Sequence, residues 1–274
     1  MNKRALAEIA KDYLVSSPWN RIPEEKALSE ELIAAPIFEA PIFAVAKADS
    51  PEFQNLKAEH IVGRHFMLPA QWLPKAESVI SYFFPFTETI RNSNKEDMRY
   101  PSKGWMNGRI EGQAFINHFA GFMVDFLKER GFDALFPSGD ERFFSQDNAD
   151  RRGIHKLYTS NWSERHVAYV CGLGTFGLSK GIITEKGMAG RLVSIVTEAV
   201  LRPDEKKYQR FDENCTLCGK CIQNCPAQAI SFEHGKDHRA CSEFLNFVLQ
   251  ENKPWYGCGK CQVNVPCESR NPAR

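Results

Sequence analysis

The stretch CTLCGKCIQNCP, Cys215 to Pro226, decides how this chain is read. Three cysteines stand two residues apart; a fourth follows after three more and is itself followed by proline, the ligand spacing of a 4Fe–4S run. A cubane needs four thiolates converging on a roughly tetrahedral set of irons, and Cys215, Cys218 and Cys221 in one tight loop supply three. In such a run the fourth cysteine, Cys225, ligates another cluster. Cys241, Cys258, Cys261 and Cys267 follow, so eight of the nine cysteines lie after position 200, enough for two clusters.

Zinc sites use cysteine pairs in sets of four ligands, and four cysteines packed into one short run would crowd two zinc ions. Disulfides require an oxidising compartment. Met1 to Leu14 reads as a charged amphipathic helix (Lys3, Arg4, Glu8, Lys11, Asp12) without the apolar centre of an export signal. No stretch approaches the length of a membrane span. These features lead us to expect a cytoplasmic protein.

The chain has 274 residues, 43% of them apolar, enough for a full core and two domains. With 35 basic and 34 acidic residues, the net charge of +1 gives no reason to expect nucleic acid as a partner, although a local patch would still allow a substrate such as tRNA. Short buried strands are expected at Ala40–Ala48 and Glu77–Phe86, and a polar loop over Arg91–Gly108. Phe115, Phe119, Phe122 and Phe126 recur at helical spacing, so Gly108–Arg130 reads as a core-facing helix ended by Gly131. A short strand, Phe132–Phe136, precedes a charged loop, Pro137–Arg152, which is either solvated or a lid. Then come a short helix opening near Trp162, the segment CGLGTFGLSKG (Cys171–Gly181), and strands Ile182–Thr184 and Arg191–Val200. Gly172, Gly174 and Gly177 match a dinucleotide fingerprint in spacing, but helix precedes and strand follows, the reverse of what that site needs. The linker Arg202–Lys207 divides the chain into 1–205 and 206–274.

The joint occurrence of CGLGTFGLSKGIIT, GRLVSIVTE, CTLCGKCIQNCPAQAI, DHRACSEFL and YGCGKCQ resembles the epoxyqueuosine reductases and their double-cluster relatives, over roughly Trp72 to Cys267. These are related in turn to the cobalamin-dependent reductive dehalogenases. The resemblance implies an α+β chain: a nitroreductase-like, cobalamin-binding α/β domain followed by a ferredoxin-like domain with two 4Fe–4S clusters. By analogy with two-cluster ferredoxins, Cys215, Cys218, Cys221 and Cys267 would hold one cluster and Cys225, Cys241, Cys258 and Cys261 the other. It further implies a cobalamin pocket at Gly172, Gly174, Phe176, Gly177, Leu178, Ser179, Lys180 and Arg191. Electrons from a ferredoxin- or flavodoxin-type donor would enter at the Cys225 set and leave through the Cys215 set to cobalt. The substrate would be a small organic molecule or a modified nucleoside.

The aspartate proton donor of those reductases has no counterpart in Tyr158–Arg165, where Tyr158 is the first candidate donor and Glu164 the second. The closing cysteines are Cys258-x2-Cys261-x5-Cys267, longer than usual, and no helical repeats for tRNA follow. Cys171 reads as a buried core thiol. The alternative to a corrinoid enzyme is a two-cluster electron-transfer protein that reduces a partner and binds no cobalamin; a flavin in place of the corrin is the third reading.

Overall fold

The computed structural model describes residues 2–146, 154 and 158–274. Met1, Leu157 and the charges Asp147, Asp150, Arg151 and Arg152 of the expected loop lie outside the described residues. The architecture is mixed helix and sheet. At its centre is a four-stranded antiparallel sheet built from β1 (Ile42–Lys47), β2 (Ser78–Pro85), β3 (Ala134–Leu135) and a late strand, Gly190–Thr197. The late strand lies between β2 and β3, and β1 pairs with the other edge of β2.

β2 is buried at all eight positions because both faces of the sheet are covered. Side chains alternate across a strand, so Ile80, Tyr82 and Phe84 join one core and Val79 and Phe83 the other. On the first face lies helix α2 (Lys103–Lys128), with α1 (Lys3–Ser16) packed beside it. Phe115 and Phe119 meet Phe84 edge-on, at ring separations of 5.3 and 4.7 Å. On the second face Trp162 stacks on Phe66, and α3 (Glu164–Cys171) adds Val167, Ala168 and the buried Cys171. Burial pushes the Cys171 thiol well above its ordinary range, and it donates weakly to the Val79 carbonyl, the behaviour of a small core residue.

The long helix begins five residues before the sequence expectation, at Lys103, where the Ser102 hydroxyl caps it by accepting from Trp105 N. The polar stretch before it also contains a short helix, Glu88–Ser93. After α3 the chain forms a hairpin of β4 (Gly174–Phe176) and β5 (Ile182–Thr184), then enters the sheet as β6 (Gly190–Thr197). Beyond Tyr208, Cys221, Ile230 and Val265 form a small apolar cluster, and the chain also carries α4 (His238–Asn252). Among the described residues no helix is long and apolar enough to cross a membrane.

Candidate cluster centres and the cavity beside them

The run Cys215–Cys225 turns twice through left-handed backbone, at Leu217 (φ 52°) and Gly219 (φ 73°), before the short helix Lys220–Gln223. Cys215, Cys218, Cys221 and Cys267 line one small cavity, walled also by Gly177, Leu178, Ser179 and Met188. Cys267 reaches it because the Met188 N–H donates to the Cys267 carbonyl (2.9 Å), seating the end of the chain on β5–β6. Burial pushes Cys267 up to about 12, and the neighbouring Cys215, Cys221 and Cys218 add to the shift. Cys221 is pushed up to about 11, again first by burial and then by Cys261, Cys215 and Cys218. These thiols give up their protons readily only to a metal that compensates the charge.

Cys258 is the centre of the second group. Burial raises it to about 12, and Cys261, Cys241 and Cys225 are its charged neighbours. The Ala229 N–H points at Cys225 Sγ (3.3 Å). Among the described residues no three Cys, His, Asp or Glu side chains are arranged to hold a single metal ion. Cysteines spread around a cavity suit a multi-iron cube, whereas one zinc ion would need them drawn together.

The Cys258–Cys261 turn is held by a buried lysine. Lys260 Nζ donates to Asn94 O (2.7 Å) and Asn94 Oδ1 (2.9 Å), and Asn94 Nδ2 donates to the Cys258 carbonyl (2.9 Å). Asn94 Oδ1 also accepts from Ser102 N, the N-cap of α2, so one asparagine links the helix start to the cysteine turn. On the other side Gly259, at φ 66°, lies flat on the Trp105 indole.

Beside this turn α2, α3 and β6 contribute basic and polar side chains, close to Tyr256. Arg109 and Gln113 stand one turn apart on α2; Arg109 Nη2 donates to Tyr256 Oη (2.9 Å), and Arg191 of β6 donates to Gln113 Oε1. Arg165 of α3 faces Cys261 and Cys241. Tyr158 stacks against His238 at the start of α4 (5.8 Å), and Lys180 Nζ donates to the Lys236 carbonyl (2.9 Å). The Tyr158 hydroxyl and Arg109 Nε are buried without a hydrogen-bond partner.

The other residues singled out from sequence fall into several surroundings. Gly172 and Gly174 border a groove with Asp204 and Tyr208, while Gly177, Leu178 and Ser179 line the Cys215 cavity. Phe176 packs on His166 and Tyr169. Lys180 bonds the Lys236 carbonyl and Arg191 bonds Gln113. A Cβ on Gly174 would come within 2.1 Å of the Ile183 carbonyl, and one on Gly181 within 2.2 Å of Met188 Cε, so the chain itself fills the space these glycines leave. Arg109, Arg165, Tyr256, Asn94 and Lys260 carry no motif and went unnoticed in the sequence; the basic, polar side of the Phe-striped helix was the one available signal for Arg109.

Glu164 lies deeper. Trp162 Nε1 donates to Ser194 Oγ (2.8 Å), which donates to Glu164 Oε2 (2.7 Å), while Oε1 is buried without a partner. Burial pushes the carboxyl up from 4.5 to about 7, against the lowering effect of the Ser194 bond. With a folded pKa above the unfolded one, the stabilisation is fully present below the unfolded value and is lost as pH rises through about 7. Glu164→Gln should therefore flatten the dependence of Tm on pH between about 4.5 and 7 and melt above the wild type at higher pH. Parallel melting curves for the two proteins across that range would contradict this.

Residues 208–231 match the family model described as a 4Fe-4S binding domain. The chain is 41% identical over 68 residues to a tetrachloroethene reductive dehalogenase of Desulfitobacterium hafniense, covering 24% of this chain and 12% of that one. It is 24% identical over 209 residues to an epoxyqueuosine reductase of Bacillus subtilis, covering 72% of this chain and 49% of the relative. The chain thus spans about half or less of the length of these relatives. A solved structure of selenomethionine-labelled epoxyqueuosine reductase superposes on 97% of this chain and 66% of its own, with a TM-score of 0.53 at 18% identity. In sequence and in fold, the chain is similar to the epoxyqueuosine reductases and carries a 4Fe–4S binding domain.

Proposed function

We propose that this protein is an epoxyqueuosine reductase-like oxidoreductase that holds two 4Fe–4S clusters and a corrinoid, and reduces a small organic or modified-nucleoside substrate beside the Cys258–Cys261 turn. The observation that carries the reading is the meeting of the Cys258–Cys261 turn with Arg109, Arg165, Arg191 and Tyr158 around one space. Arg165 would fit the rim of a corrin, whose side-chain amides accept from a guanidinium group, while the partnerless Arg109 Nε and Tyr158 hydroxyl are left for the substrate. When bound, a corrinoid supplies a strongly reducing cobalt centre, and the protein supplies orientation and protons.

Tyr158 is the proton donor in this reading. It is a non-glycine residue at φ 59°, a backbone conformation that persists where surrounding structure holds it. His238 beside it is driven down to about 4 by burial and by Lys180, Lys236 and Arg165, so it is neutral at pH 7. Tyr158→Phe should lower turnover by about a hundredfold or more with iron and cobalt content unchanged. Turnover within a few-fold of wild type would transfer the role to another group or to water.

The sequence suggested that electrons enter through the Cys225 set; we propose the opposite order. Cys218 is exposed, and Leu217, Phe211 and Phe232 are exposed apolar residues of the same region, a face suited to a docking electron donor. The Cys261 and Cys241 thiols lie within electrostatic reach of Arg165 instead. A cytoplasmic location and a ferredoxin- or flavodoxin-type donor belong to the same proposal.

The test is anaerobic reconstitution with iron, sulfide and hydroxocobalamin, followed by desalting, metal analysis and electron paramagnetic resonance. About eight irons and one cobalt per chain support the reading. One observation favours the second reading, a two-cluster electron-transfer protein without cobalamin: Gly174, Gly177 and Gly181 are packed by Ile183 and Met188, so the glycine segment offers no open face to a corrin. Full iron with no retained cobalt would select it.

A further inference from the structure

Three arginines from three elements gather beside the Cys258–Cys261 turn, and among the described residues no carboxylate pairs with them. Arg109 comes from α2, Arg165 from α3 and Arg191 from β6, and they lie within electrostatic reach of one another. Among the described residues none of the three makes an ion pair with an acidic side chain. Arg109 and Arg191 bond the neutral Tyr256 and Gln113, and Arg165 lies near Cys261 and Cys241. Burial drives Arg191 down to about 9, and the charges of Arg109 and Arg165 push the same way.

Like charges are gathered at such a cost only where something offsets them. The cysteines offset Arg165, because Cys261 and Cys241 as metal-bound thiolates would face it. They do not offset Arg191, whose charged neighbours are Arg109, Arg165 and the Tyr256 phenol. Arg109 spends one nitrogen on Tyr256 and keeps Nε buried with no partner. Arg191 spends one on Gln113. Two guanidinium groups with free N–H donors, set one helical turn apart by the Arg109–Gln113 spacing, form a fork for a planar or tetrahedral oxyanion.

We infer that the substrate of this site carries a carboxylate or phosphate, held by Arg109 and Arg191 beside the Cys258–Cys261 turn. The inference rests on the proposed function in taking this region as the reaction site. It narrows the substrate from any reducible organic molecule to an acid or phosphate ester small enough to place its reacting group near Tyr158.

The test is calorimetric titration of benzoate and of phenyl phosphate into cluster-loaded protein, with and without bound hydroxocobalamin. The expected result is saturable binding of at least one of them in both states, weakened about tenfold or more in Arg109→Gln and Arg191→Gln. Arg191→Lys should fall between, since it keeps the charge and loses the fork. Iron content, unchanged from wild type, serves as the check that each variant is folded around its clusters. Absence of binding to wild type, or equal binding by wild type and variants, overturns the inference whatever the cobalt content. Binding that cobalamin abolishes also overturns it, because the arginines would then serve the phosphodiester of the cofactor. Failure of the functional reading looks different: protein with full iron that retains no cobalt at all.

Discussion

Replacing Lys260 by methionine is expected to leave about four irons per chain after anaerobic reconstitution, in place of about eight. The lysine side chain is fully buried and donates twice to Asn94. Methionine matches its length but donates nothing, so the Asn94 carbonyl loses its partner and Oδ1 keeps only Ser102 N. Each buried polar group left unpaired costs about 1–3 kcal/mol. The loss reaches the cysteines because Asn94 Nδ2 is the donor to the Cys258 carbonyl. Cys215, Cys218, Cys221 and Cys267 surround a separate cavity whose walls do not include Lys260 or Asn94. Iron and sulfide analysis decides: a full complement in Lys260→Met would show that the turn holds its shape without the lysine. Asn94→Ala should reproduce the defect, and Lys220→Met should not, since Lys220 is exposed and bonds only Gln223.

The second large effect is expected at Gly259→Ala. A Cβ there would stand 2.0 Å from two ring carbons of Trp105, and the backbone at φ 66° is already disfavoured for alanine. The conformational cost is about 1–2 kcal/mol, and forcing an atom into a filled site adds about 1–3 kcal/mol. Trp105 cannot give way easily, because it packs edge-on against Phe86 at 5.0 Å inside the core. Denaturant unfolding of the cluster-loaded protein should show the combined loss of about 2–5 kcal/mol. The Gly259→Ala, Trp105→Leu double variant should recover the steric part only. A single variant as stable as wild type would mean that the turn can lift from the helix.

These two glycine and lysine positions show what could be read from sequence. Cys218-Gly219-Lys220-Cys221 and Cys258-Gly259-Lys260-Cys261 are the same four letters, yet Lys220 is in solvent and Lys260 is sealed in the core. Nothing local separates them; the difference is Asn94, more than a hundred and fifty residues away in the chain. The phenylalanine stripe of α2 was legible because helical spacing is a local property, and so was the sheet strand Ser78–Pro85. The first turns of α2 were hidden by Gly104, Gly108 and Gly112, which look like loop residues. They are glycine because Ser93, Phe86 and Phe38 press against the bare helix there. In the glycine segment, Gly174 has a reason within the chain that the sequence did not reveal, since it makes room for the Ile183 carbonyl of the adjacent strand. The arginine trio was invisible because its members are assembled by tertiary packing from three separate elements.

The double-sided burial of β2 bears on how this protein ages in air. Its amides sit between two full aromatic layers, whereas the cysteine-bearing segment has only a three-residue apolar kernel of its own. Deuterium should therefore enter the segment after Tyr208 long before it enters β2 and β6, and oxygen should widen that gap. Damage confined in this way leaves the sheet standing as a template, so a bleached molecule can be repaired by fresh iron and sulfide and need not be degraded and made again.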